Sequence, residues 1–61
     1  MANLTAKELS AIEDQLSMER LLVTKYRAVA GSVSDPALKS RCEKIAGMHQ
    51  EHYDRLLSHL N

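Results

Sequence analysis

Apolar residues in the first half of the chain recur in alternating steps of three and four: Leu9, Ile12, Leu16, then Val23, Tyr26 and Ala30. Glu19 interrupts this seam at a position that should be apolar. Leu22 and Val29 broaden the stripe on one side, which suits a bundle helix better than a narrow two-stranded zipper. Thr5 and Glu8 have the T-x-x-E spacing of a capping box, and Leu4 and Leu9 are placed as a hydrophobic staple. Neither Gly nor Pro appears from Ala6 to Ala30. The pattern predicts a helix over about 6–31, a rod of roughly 39 Å, preceded by a short tail at Met1 to Asn3.

The pattern breaks at Gly31-Ser32-Val33-Ser34-Asp35-Pro36. Gly31 is expected to close the first helix in the left-handed conformation. Residues 32–35 form a turn, Ser34 or Asp35 caps the next helix, and Pro36 suits its first turn because its missing N–H would have no partner there. A second helix is predicted over about 36–59. Its seam is Leu38, Cys42, Ile45, His49, His52 and Leu56, with Ala46, Tyr53 and Leu60 alongside. Again the middle of the seam is polar.

So short a turn forces two neighbouring antiparallel helices. The fold class is all-α, a single two-helix hairpin spanning residues 1–61. With a pivot near residue 34, levels match where residue numbers sum to about 68. Glu19 then meets His49 at the same level and His52 within one turn.

Composition changes this picture in one respect. The chain is 44% hydrophobic but only 3% aromatic, so any core is aliphatic. Chains of 61 residues bury only about 60% of their unfolded surface, and a lone hairpin leaves its broad apolar face wet. Pairing with a second copy, to make a four-helix bundle, is the expected remedy, with docking on a different hairpin as the alternative. A formal net charge of zero lacks the basic footprint of a nucleic-acid binder. No apolar run approaches a membrane span, and no signal-peptide pattern opens the chain. A single cysteine, Cys42, excludes an internal disulfide and fits a reducing compartment. The expectation is a protein that is not secreted and binds neither nucleic acid nor membrane.

The chemistry rests on Glu19, His49 and His52. Two readings are open. In one, a carboxylate and two imidazoles bind a transition metal, with Zn, Fe, Mn and Ni as candidates. An inter-subunit site would then use all three residues from both chains. In the other, the three form a polar layer that fixes register at some cost in stability. Tyr26 and Tyr53 are read as core-edge residues, with an outer hydrogen bond to the site as the alternative. Cys42 lies about 10 Å along the helix from His49 and is read as a small buried apolar residue. Glu13, Asp14, Glu51 and Asp54 are read as surface groups, and His59 as a last-turn residue that favours the helix dipole. No nucleophile with its base, phosphate-binding loop or paired-carboxylate site is recognisable, so no catalytic residue and no enzymatic activity are expected.

The chain resembles the spore coat protein F family of endospore-forming bacteria. The resemblance covers nearly the whole chain. It rests on Leu9-Ser10-Ala11-Ile12-Glu13-Asp14-Gln15-Leu16, on Asp35-Pro36-Ala37-Leu38-Lys39, on His49-Gln50-Glu51-His52-Tyr53, and on Leu56-Leu57-Ser58-His59-Leu60. It implies a ferritin-like four-helix bundle made by a paired hairpin, a role connected with sporulation, partners among spore coat proteins, and a place in the cytoplasm or the spore coat. More distantly, the chain is similar to ferritin-like di-iron proteins such as rubrerythrins, which carry a Glu with a Tyr seven residues later, as Glu19 and Tyr26 do. Their second helix carries Glu-x-x-His. Here His52 matches, but His49 stands where the Glu would be. That replaces bridging carboxylates with imidazoles and weakens the expectation of di-iron redox chemistry.

Overall fold

The computed structural model describes residues 3–60, so the expected tail at Met1 and Ala2 lies outside the described residues. Two helices pack against each other as a hairpin: α1 is Ala6–Ser32, α2 is Pro36–Leu57, and a 3₁₀ turn, Ser58–Leu60, follows α2.

Local sequence explains both helix starts. The Thr5 hydroxyl accepts from the Glu8 backbone N–H at 3.0 Å, and Glu8 Oε1 accepts from the Thr5 N–H at 2.9 Å. This reciprocal pair satisfies two amide donors that the first turn leaves without partners. At α2, Asp35 is the capping residue rather than Ser34: its Oδ1 accepts from the N–H groups of Ala37 at 2.8 Å and Leu38 at 3.3 Å. Pro36 follows it in the first turn.

The exit from α1 differs from the sequence expectation. Gly31 remains helical, and no glycine among the described residues has a positive φ. The helix runs on to Ser32 and leaves through an extended Val33, whose N–H donates to the Val29 carbonyl at 3.1 Å. The Ser32 hydroxyl donates to the same carbonyl, also at 3.1 Å. With that acceptor already satisfied, no left-handed cap is needed. At the other end, α2 stops at Leu57, and the last residues up to Leu60 tighten into the 3₁₀ turn. There the Ser58 hydroxyl donates to the Arg55 carbonyl at 2.6 Å, and His59 is exposed.

Small residues bring the helices together. The buried set is Val23 and Ala30 of α1, Cys42 and Ala46 of α2, and one charged residue, Glu19. Among the described residues no side chain is completely enclosed. Leu9 and Leu38, although on the seams, are exposed, because each helix has only one neighbour to cover a stripe wide enough for two.

The two sides of the hairpin are chemically unlike. A shallow groove on one side is lined by Arg20, Thr24 and Arg27 of α1 with Gln50 and Tyr53 of α2, and Val23 forms its floor. At about 100° per residue, the opposite side of α1 carries Met18, Leu22 and Val29. The same side of α2 carries Leu38, Ile45, Met48 and His52. One side is therefore polar and cationic. The other carries more exposed apolar surface, with Met18 55% exposed and Met48 46% exposed, and Arg41 and Lys44 line the same face of α2 as Ile45 and Met48.

The molecule is a rod of 46 × 14 × 11 Å with a radius of gyration of 14.3 Å. A compact chain of this length has about 10 Å. Among the described residues no helix is long and apolar enough to cross a membrane.

Candidate functional site

Glu19 sits at the midpoint of α1 and points at α2, where it is 6% exposed. Antiparallel register brings His49 to its level. Glu19 Oε1 lies 2.6 Å from His49 Nδ1 and 3.5 Å from His52 Nδ1. The three residues each offer one ligand atom, and these atoms all lie within 4.8 Å of one another. They are close enough to hold a metal ion.

The carboxylate's second oxygen is also engaged. Gln15, one turn earlier on α1, donates its amide to Glu19 Oε2 at 3.0 Å. Sequence reasoning missed Gln15. The available signal was its spacing, since Gln four residues before an acid is a known helical pair. No buried side-chain nitrogen or oxygen among the described residues lacks a partner.

These contacts set the electrostatics. The His49 hydrogen bond, followed by that of Gln15, holds the Glu19 carboxyl below its ordinary value; burial opposes the shift, and the nearby His52 and His49 charges add to it. Glu19 therefore stays an anion, which is the state a metal ligand requires.

Around this core, the Tyr26 ring stacks on His49 with centroids 6.3 Å apart and planes 17° apart. His49 and His52 meet edge to face at 5.6 Å. Tyr26 thus reaches the site with its ring. Tyr53 turns to the polar groove on the far side of the hairpin. Cys42 is a free, buried thiol outside the cluster. Glu13, Asp14, Glu51 and Asp54 are exposed, and Asp54 accepts from the Gln50 amide at 3.0 Å.

The donor set fits a borderline transition ion, which takes imidazole nitrogen and carboxylate oxygen at about 2.0–2.2 Å. Tetrahedral ligands at that distance are about 3.3 Å apart. The 2.6 Å between Glu19 and His49 is a charge-assisted hydrogen bond, shorter than that spacing. An ion must displace the bridging proton and widen the pair by under about 1 Å. The opening falls on the apolar side of the hairpin, where the His52 side chain is 41% exposed.

Comparison with known proteins adds one relative. The chain is 30% identical over 57 residues, 93% of its own length and 70% of the relative's, to Uncharacterized protein YuzM of Bacillus subtilis (strain 168). No protein-family profile matches the chain, and no solved structure matches it.

Proposed function

We propose that this chain, which belongs to the same family as YuzM, is a non-enzymatic assembly protein: a helical hairpin that completes its core by pairing with a second copy, as a ferritin-like four-helix bundle related to the spore coat. One observation carries the pairing. The hairpin exposes 4702 Å², whereas a compact chain of 6.8 kDa exposes about 4,000 Å². The excess of roughly 700 Å² is close to the ~800 Å² that each partner buries in a standard interface.

Sidedness supports the same reading. Burial of Met18, Leu22, Ile45 and Met48 against a second copy is favourable at about 25 cal/mol per Å². The opposite groove, with Arg20 and Arg27, stays in water. Glu19 lies at the middle of α1, so a two-fold axis through that level juxtaposes the polar clusters of both copies and fixes the register of the pair. The spore-coat role is supported by the sequence resemblance, and its place is the cytoplasm or the coat. Sedimentation equilibrium tests the pairing: the mass should be twice 6.8 kDa, and a monomer at micromolar concentration would sink it. A fluorescent fusion followed through sporulation tests the role; a signal that never reaches the forespore surface counts against it.

A second reading is favoured by the Glu19, His49 and His52 cluster itself. Here the bundle binds a transition metal, Zn, Fe, Mn or Ni, at an inter-subunit site made by these residues from both chains. Metal content of tag-free protein, and melting with and without chelator, test it. The Glu19→Leu variant separates the readings: if Glu19 only sets register, the variant melts higher and loses its unique dimer; if Glu19 is a ligand, it loses metal stoichiometrically.

A further inference from the structure

We propose that one chain by itself holds one zinc-like divalent ion through Glu19 Oε1, His49 and His52, and that Gln15 makes the site mononuclear by keeping Glu19 a one-oxygen ligand. This inference rests on the metal reading above, takes its ligand residues and confines the site to one chain.

The argument starts from the two oxygens of Glu19. Oε1 faces both imidazoles, at 2.6 and 3.5 Å. Oε2 points back along α1 and accepts from Gln15 at 3.0 Å. A carboxylate that bridges two ions through both its oxygens needs one for each, and the Gln15 amide already hydrogen-bonds the second. The imidazole pair cannot take over bridging, because a neutral imidazole gives one lone pair to one ion. The donor set therefore suits a single ion with three protein ligands from one chain. Its remaining position opens beside the half-exposed His52 imidazole, on the side where a second copy would pack, and is left for a water held at that interface.

Gln15 acts here as a positioning residue. Its own side chain is exposed, so removing it disturbs no packing. Outer partners of metal ligands typically change affinity by about 10- to 100-fold, and this one also governs how many oxygens reach the ion.

The test titrates the full, tag-free chain with Zn²⁺ and with Co²⁺, whose visible absorption reports coordination number. The expected result is one ion per chain and the strong absorption of four-coordinate Co²⁺. Gln15→Ala should retain one ion per chain, bind it about tenfold more weakly, and lose band intensity as the freed oxygen raises the coordination number. His52→Gln should weaken binding by more than Gln15→Ala does, with helicity checked by circular dichroism. Two ions per chain or magnetically coupled Co²⁺ pairs would overturn the mononuclear site, and one ion per two chains would overturn the single-chain site, while each leaves the metal reading standing. A Gln15→Ala spectrum identical to that of the parent overturns the positioning role. No binding of either ion by the parent chain removes the metal reading and this inference together.

Discussion

Thr5 and Glu8 show how much a few side chains decide at the start of α1. Each supplies the partner for the other's backbone N–H. Thr5→Ala should cost about 1 kcal/mol, measured by urea denaturation. The Thr5 backbone N–H, and after it the Thr5 side chain, hold the Glu8 carboxyl below its ordinary value of 4.5. A carboxyl depressed in the folded state lends stability above its unfolded pKa, and that contribution is lost as pH falls through the folded pKa. The first turn should therefore loosen only below pH 4.5. A Glu8 side-chain carbon titration with its midpoint at or above 4.5 by NMR would contradict this. Glu8→Gln, which keeps an acceptor without a charge, should remove the pH dependence of that turn. Glu19 is the costlier residue, since it brings an anion to a helix contact. It tolerates that place because Gln15 and His49 share its two oxygens.

Among the elements, α2 carries a weakness that its neighbours do not require. Gly47 lies in mid-helix, is exposed, and would meet nothing within 4 Å if given a Cβ. Glycine in a helix interior is about 0.8–1.0 kcal/mol less favourable than alanine. Gly47→Ala should stabilise the protein by about that amount in chemical denaturation, and a destabilisation would mean that something packs on that surface in the assembled state. Gly31 is also free of neighbours, but at the last turn of α1 its replacement should gain less. Small residues elsewhere have a purpose. Ala30, Cys42 and Ala46 are buried between the helices, and their size lets the two rods approach closely enough for Glu19 to reach His49.

The whole molecule is governed by its unlike sides. Met48 is exposed on the apolar side, so Met48→Glu should leave the lone hairpin folded and weaken pairing at least about tenfold, or ~1.4 kcal/mol. Arg27→Glu, in the opposite groove, should leave pairing unchanged. Sedimentation velocity of the two variants at matched concentrations compares them directly. If both variants dissociate, or neither does, the apolar side is not where the second copy sits. A pair that supplies most of the core should also melt at a temperature that rises with protein concentration. A concentration-independent melt would mark a self-sufficient hairpin.

Much of this architecture was legible along the chain because the signals are local or periodic. The T-x-x-E cap, the steps of three and four, and Asp35-Pro36 each depend on neighbours within a turn. The antiparallel register follows from a short turn and matching lengths, which is why the sequence by itself puts Glu19 and His49 at one level. Gly31 departs from the expected left-handed cap because its residue type permits that conformation without requiring it, and Ser32 with Val33 satisfies the Val29 carbonyl.

Tertiary structure alone decided how far each helix rotates about its own axis. Periodicity marks a stripe but not which part of it meets the other helix. That choice fell to the small residues, which permit the closest approach, and it turned Val23 inward, left Met18 and Met48 outside, and aimed one oxygen of Glu19 at the imidazoles and the other at Gln15. The sequence determined which groups share a level; only packing between the rods could set which atoms face each other.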